Sequence, residues 1–206
     1  MRVSIIVALT VGLGKSALGE SLSNALLNDY PDTTSQYRTA ISLYPGGIEG
    51  LLPDGGADIP NNSSEGITVL VPTDAAFAKY LNTTNITSIG RDNVKQLTEI
   101  LQYHMLYAKL NSTGLSADDG LIVPTLLYGD EYNNRTPGDA LTSQYGEGIA
   151  STGAPLYVSK DPINPVRFRV RQSNGGLGAR GGMAQGGLID AVDGVWDQGY
   201  FQLMDT

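Results

Sequence analysis

The stretch ITVLVPTDAAFAKY, residues 67–80, decides the fold. Six apolar or β-branched positions, 67–72, end in a proline, the pattern of a buried strand that can extend no further. Thr73 and Asp74 follow. Both side chains can accept hydrogen bonds from the free amides that open a helix. Ala76, Phe77 and Tyr80 then recur on one side of a helical turn, so Phe77 is expected to pack that helix onto the strand layer.

Working outward toward the C-terminus, RDNVKQLTEILQYHMLY (91–107) reads as an amphipathic helix. Asp92 or Asn93 caps it, and Val94, Leu97, Ile100 and Leu101 form its apolar stripe. Beyond Tyr103 the texture changes to strands: HMLYAKL (104–110), LIVPTLLYG (121–129), APLYVSK (154–160), VRFRVRQ (166–172) and GLIDAVDGVW (187–196). VRFRVRQ alternates, with Val166, Phe168 and Val170 on one face and Arg167, Arg169 and Arg171 on the other, as a half-buried antiparallel strand does. A long polar loop occupies 129–153, and a glycine-rich turn occupies 173–187. Toward the N-terminus, ESLSNALLNDY (20–30) and SQYRTAISLY (35–44) read as two short helices broken at Pro31 and at the turn Pro45-Gly46-Gly47, with a Gly/Pro/Asn/Ser loop over 51–66. Helices precede strands and no repeat is visible. The expectation is one α+β domain, with N-terminal helices packed on a mostly antiparallel sheet wedge.

The first residues pose a separate question. GLGKSALG (12–19) follows an apolar run and suggests a phosphate loop. A Walker loop would need glycine at position 9, which is Leu9. The dinucleotide pattern through Gly12, Gly14 and Ala17 needs a strand–helix–strand alternation that the chain lacks. The preferred reading is a secretory signal peptide over 1–19. Arg2 is its positive start, Val3–Leu13 its apolar stretch and Ala17-Leu18-Gly19 its cleavage site, with the cut after Gly19. The mature domain is then 20–206. Losing Arg2 and Lys15 moves the formal charge from −8 to −10. So acidic a chain is a poor partner for nucleic acid. No cysteine and one histidine exclude thiolate chemistry and Cys- or His-rich metal sites, so no cofactor or metal is expected. Asn61, Asn62, Asn82, Asn85, Asn111 and Asn134 head Asn-x-Ser/Thr triplets, as expected of a glycosylated, secreted protein of the extracellular space or cell wall. Neither a membrane span nor a lipid-anchor tail is read at the C-terminus.

Three segments together resemble the fasciclin-like domain family. ITVLVPTDAAFAKY is similar to its opening motif, represented here by Thr73, Asp74 and Phe77. LQYHMLYAKL resembles its Tyr-His motif, here Tyr103 and His104. GGLIDAVDGVW is similar to its closing motif, an apolar strand broken by Asp193. The segment PTLLYG and the leading helices resemble fungal members in particular. Family members often carry a histidine three residues before the closing aspartate, and here that position is Asp190. The resemblance implies a fasciclin-like fold from about residue 20 to 200, a Tyr-His pair that mainly supports the fold, and a role in cell adhesion or at the cell wall and matrix.

Each conspicuous residue has a functional and a structural interpretation. His104 would have to serve any histidine-based catalysis, but at the end of a helix it is expected to be structural. Gly176–Gly181 is a second GxGxxG, without a following helix to present amides to phosphate, and reads as a turn. Arg167, Arg169 and Arg171 could face an anionic ligand, though a solvated outer face is preferred. Asp118-Asp119 and Asp130-Glu131 lack the spacing of a calcium loop. Trp196 is expected in the core, with Tyr200 and Phe201 as exposed contacts. The leading expectation is a non-catalytic binding domain for an extracellular protein or glycan. The alternative, also drawn from fungal fasciclin-like proteins, is an enzyme or oxidase auxiliary in secondary metabolism. It would couple or cyclise aromatic polyketides and hold a small apolar ligand in a pocket formed by loop 129–153 and the glycine turn.

Overall fold

The computed structural model describes residues 20–52, 66–84, 93–116, 120–129, 131–133, 136–161, 167–172 and 187–205. The chain is α+β, as expected, but its sheet closes on itself. Strands β1 (Ile67–Pro72), β2 (Met105–Leu106), β3 (Leu121–Tyr128), β4 (Gly153–Lys160), β5 (Arg167–Gln172), β6 (Leu188–Trp196) and β7 (Gly199–Asp205) form a closed barrel in sequence order. Successive strands pair antiparallel, and β1 and β7 close the ring in parallel. That last pairing turns the expected wedge into a barrel and removes its edges.

Alternation along the strands divides the core in two. Leu70, Leu106, Val123, Leu127, Leu156, Val158, Phe168 and Ile189 fill the barrel. Val69, Val71, Met105, Leu126, Phe201 and Leu203 face outward beneath the helices. Helices α1 (Leu22–Asp29) and α2 (Ser35–Ile41) contribute Leu22, Leu26, Tyr37 and Ile41 to that outer layer. Phe77 of α3 (Asp74–Thr84) and Leu97 and Leu101 of α4 (Val94–Tyr103) join it. Phe201 is therefore core, not the exposed contact that its place near the C-terminus suggested, while Trp196 is buried as expected.

The expected strand over 104–110 is only two residues long, because beyond Tyr107, whose amide still donates to the Pro124 carbonyl at 2.9 Å, the chain leaves the sheet to be held by side chains described below. The polar loop after β3 contains two short helices, α6 (Asp139–Tyr145) and α7 (Glu147–Thr152), and α5 (Ser112–Leu115) lies between β2 and β3. Strand direction sorts these connections. The ends of β1, β3, β5 and β7 and the starts of β2, β4 and β6 form one rim, here the upper rim. Tyr103, His104, α3, α6 and α7 lie there. The β2–β3 and β6–β7 connections lie at the lower rim. The leader and the Gly176–Gly181 motif fall outside the described residues, as do Asp92, Asp118, Asp119 and Asp130.

Candidate functional site

At the upper rim, Thr73 and Asp74 divide the capping work differently from expectation. Thr73 Oγ1 accepts from the Ala76 amide at 3.2 Å and caps α3. The Asp74 carboxylate reaches back to α2 instead. Oδ2 accepts from the Ser35 hydroxyl at 2.7 Å and the Ser35 amide at 3.2 Å, and Oδ1 accepts from the Gln36 amide at 2.8 Å. The Asp74 amide donates to the Thr33 carbonyl at 2.8 Å, so one residue joins two helices. Phe77 packs in the outer core.

His104 terminates α4. Its Nδ1 lies 2.7 Å from the Ile100 carbonyl oxygen. A carbonyl only accepts, so Nδ1 carries the proton. Burial holds the imidazole pKa below its ordinary value, and the Ile100 carbonyl opposes that shift in part. The His104 carbonyl accepts from the Leu70 amide at 2.8 Å, which registers β1 against the helix end. Tyr103 packs edge-on to His104, with ring centroids 6.1 Å apart, and points into the barrel cluster.

Toward the lower rim, β6 bulges between Asp190 and Gly194. Asp193 sits in this bulge with φ +48°, an unusual left-handed conformation for a side-chain-bearing residue. Its Oδ1 accepts from the Ser112 amide at 2.6 Å and its Oδ2 from the Ser112 hydroxyl at 2.6 Å. Sequence reasoning missed the residue that supports it. Gln202, wholly buried in β7, accepts from the Val192 and Asp193 amides at 2.9 and 3.0 Å and donates to Asp193 Oδ1 at 2.9 Å and the Leu110 carbonyl at 3.2 Å. Both amide hydrogens and the carbonyl oxygen's two acceptor sites are used, as a buried amide requires. Thr68 Oγ1 adds bonds of 2.6 Å to the Ala108 carbonyl and the Leu110 amide. A lone amide in the apolar run YFQLM was the available signal. Gly194 completes the joint, since the Phe201 ring lies where a β-carbon would stand.

Two of the arginines on the outer face of β5 are already matched. Arg167 forms a two-pronged pair with Asp190, 2.6 and 3.0 Å, and Arg169 pairs with Asp161 at 3.0 Å. Asp190 thus meets an arginine on the neighbouring strand. The anionic-ligand platform loses two of its three charges to internal partners.

A patch at the lower rim joins exposed Val195 and Lys109 to Tyr200, which is half-buried rather than the exposed contact expected. Val195 is 48 % exposed and pairs with Tyr200 across β6 and β7, and the Lys109 ammonium sits 5.6 Å from the Tyr200 ring centre. Of the glycosylation triplets, Asn82 is exposed on α3, and Asn111 caps α5 by accepting from the Gly114 amide at 2.9 Å. Asn61, Asn62, Asn85 and Asn134 lie outside the described residues. Among the described residues no group of His, Asp and Glu side chains is placed to hold a metal ion, and no helix is long and apolar enough to cross a membrane.

The family model of the fasciclin domain matches residues 54–152. Among solved structures, a FAS1 domain pair from the insect cell adhesion molecule fasciclin I is similar, with 17 % sequence identity and a TM-score of 0.45. The match covers 82 % of this chain and 42 % of that one. No curated protein matches by sequence.

Proposed function

Because this chain carries a fasciclin-like domain, we propose that it acts as a secreted, glycosylated binding domain in cell adhesion or at the cell wall and matrix. The leader over 1–19 is removed after Gly19, and residues 20–206 form one domain. The observation that carries the reading is the Val195–Tyr200–Lys109 patch. An exposed aliphatic side chain, a half-buried aromatic ring and an exposed cation stand together, the residue types with which proteins grip other proteins and glycans. The motif residues Thr73, Asp74, His104 and Asp193 spend their hydrogen bonds inside the fold, which leaves recognition to surfaces of this kind.

The test is adhesion of cells or of immobilised matrix to the purified protein. Val195→Asp and Tyr200→Ala are expected to reduce binding severalfold while the circular dichroism and melting temperature stay near wild type. Undiminished binding by both folded variants would discard the patch. Peptide mapping of protein secreted by its native host should find glycans at Asn82 and Asn111 and an N-terminus at Glu20. A second reading, a small apolar ligand held within the domain, is favoured by a separate observation at the opposite rim.

A further inference from the structure

Three buried hydroxyls in and above the barrel are short of hydrogen-bond partners: those of Tyr103 and Thr125 have none among the described residues, and that of Tyr145 meets only the Gln144 side-chain amide beside it. Their residues are 7 %, 0 % and 6 % exposed. All three belong to one compartment. Tyr103 and Tyr145 sit in the cluster formed by Leu70, Leu106, Leu127 and Leu156. Thr125 pairs with Leu106 across β2 and β3, so both side chains share the inner face. Buried hydroxyls are nearly always satisfied, and three under-bonded ones in one apolar compartment need an explanation.

The rim above them explains access. Tyr145 ends α6, and Gly146, with φ +81° and open space around its α-carbon, joins α6 to α7. Leu141 and Ile149 rest on the same cluster as Tyr145. The buried Asn133 side chain ties the far end of this segment by donating to the Ala150 and Gly153 carbonyls at 3.3 and 2.9 Å. The segment is thus a cover pinned beside β4, with a glycine joint in its middle. Burial pushes the Tyr145 phenol up to about 12, with the neighbouring Gln144 amide opposing it, and raises Tyr103 as well. Both phenols therefore remain donors at any physiological pH.

The geometry points to a ligand site in the upper barrel, beneath α6–α7, for a small neutral molecule that is largely apolar and bears a carbonyl oxygen. The phenols of Tyr103 and Tyr145 donate to that oxygen, and Thr125 adds a third polar contact. The leucines enclose the remainder. The ligand enters by displacement of the α6–α7 cover. This site deepens the second reading and is independent of the lower-rim patch.

The test compares acetophenone with ethylbenzene, which has a similar shape and no oxygen. Saturable rises in melting temperature and amide NMR shifts give the affinities. Acetophenone should bind wild type roughly fivefold to tenfold more tightly, the value of about one hydrogen bond. Tyr103→Phe and Tyr145→Phe should remove that preference while leaving the fold intact, because the first deletes a hydroxyl without an internal partner and the second gives up only the contact with the adjacent Gln144 amide. Thr125→Val provides a third variant with unchanged shape. Equal binding of the two probes, no binding of either, or shifts confined to residues near Val195 and Tyr200 would overturn the site. So would a crystal structure in which ordered waters hold all three hydroxyls in the presence of acetophenone. Val195→Asp must leave acetophenone binding untouched, which separates this outcome from that of the adhesion assay.

Discussion

The Asp74 carboxylate caps a helix that begins 39 residues before it, with Oδ1 2.8 Å from the Gln36 amide and Oδ2 2.7 Å from the Ser35 hydroxyl. Its own helix is capped by Thr73. An anion at the amino end of a helix also meets the positive end of the helix dipole. Asp74→Ala is therefore expected to destabilise the domain by about 2 kcal/mol, the sum of a lost cap and lost charge-assisted bonds. Thr73→Ala should cost about 1 kcal/mol. Urea unfolding measures both. If Thr73→Ala were the costlier change, Asp74 would not be the joint described.

Gly194 faces the ring of Phe201, and a β-carbon there would stand inside it. Gly194→Ala should cost about 3 kcal/mol through overpacking. The double variant with Phe201→Leu should be less destabilised than the two single changes summed, since the smaller side chain frees the space. Additive losses in that cycle would mean that the two residues do not interact.

His104 sets an acid limit on stability. Its folded pKa lies below the ordinary 6.5, so the unfolded chain binds more protons in the interval between the two values. Stability is at its full value above pH 6.5 and falls as the pH drops through that interval. The wild-type melting temperature should decline below about pH 6.5, and the decline should be shallower in His104→Asn, whose side chain can still donate to the Ile100 carbonyl. Identical pH profiles for the two proteins would assign the acid sensitivity to other groups.

The sequence reveals local features more readily than closure. The run Ile67–Pro72 and the alternation of Arg167, Phe168 and Arg169 are encoded within a few residues, and the structure follows them, whereas Asn93, expected as a cap of α4, makes no side-chain cap bond. The parallel pairing of β1 with β7 joins segments some 130 positions apart and leaves no local trace. A shorter separation, 38 and 39 residues, hid the partners of Asp74, whose neighbours suggested a cap for its own helix. Gln202 and the three internal hydroxyls were obscured for a related reason. A polar residue among apolar ones shows that a bond must be made, but the partner is defined only once the strands are in register. The helices in 139–152 are short and rich in glycine and polar residues, so their apolar contacts, Leu141, Tyr145 and Ile149, are too few to set a period.

The β1–β7 seam has a consequence for biogenesis. The first strand waits unpaired on one side until the seventh is synthesised, because no earlier segment occupies that side of it. The barrel can be sealed only when residues 199–205 are available, so closure follows the synthesis of the other six strands. Until then the Ile67–Pro72 edge is open to any extended segment nearby, and holding it apart is a task for the cell's folding machinery rather than for the domain itself.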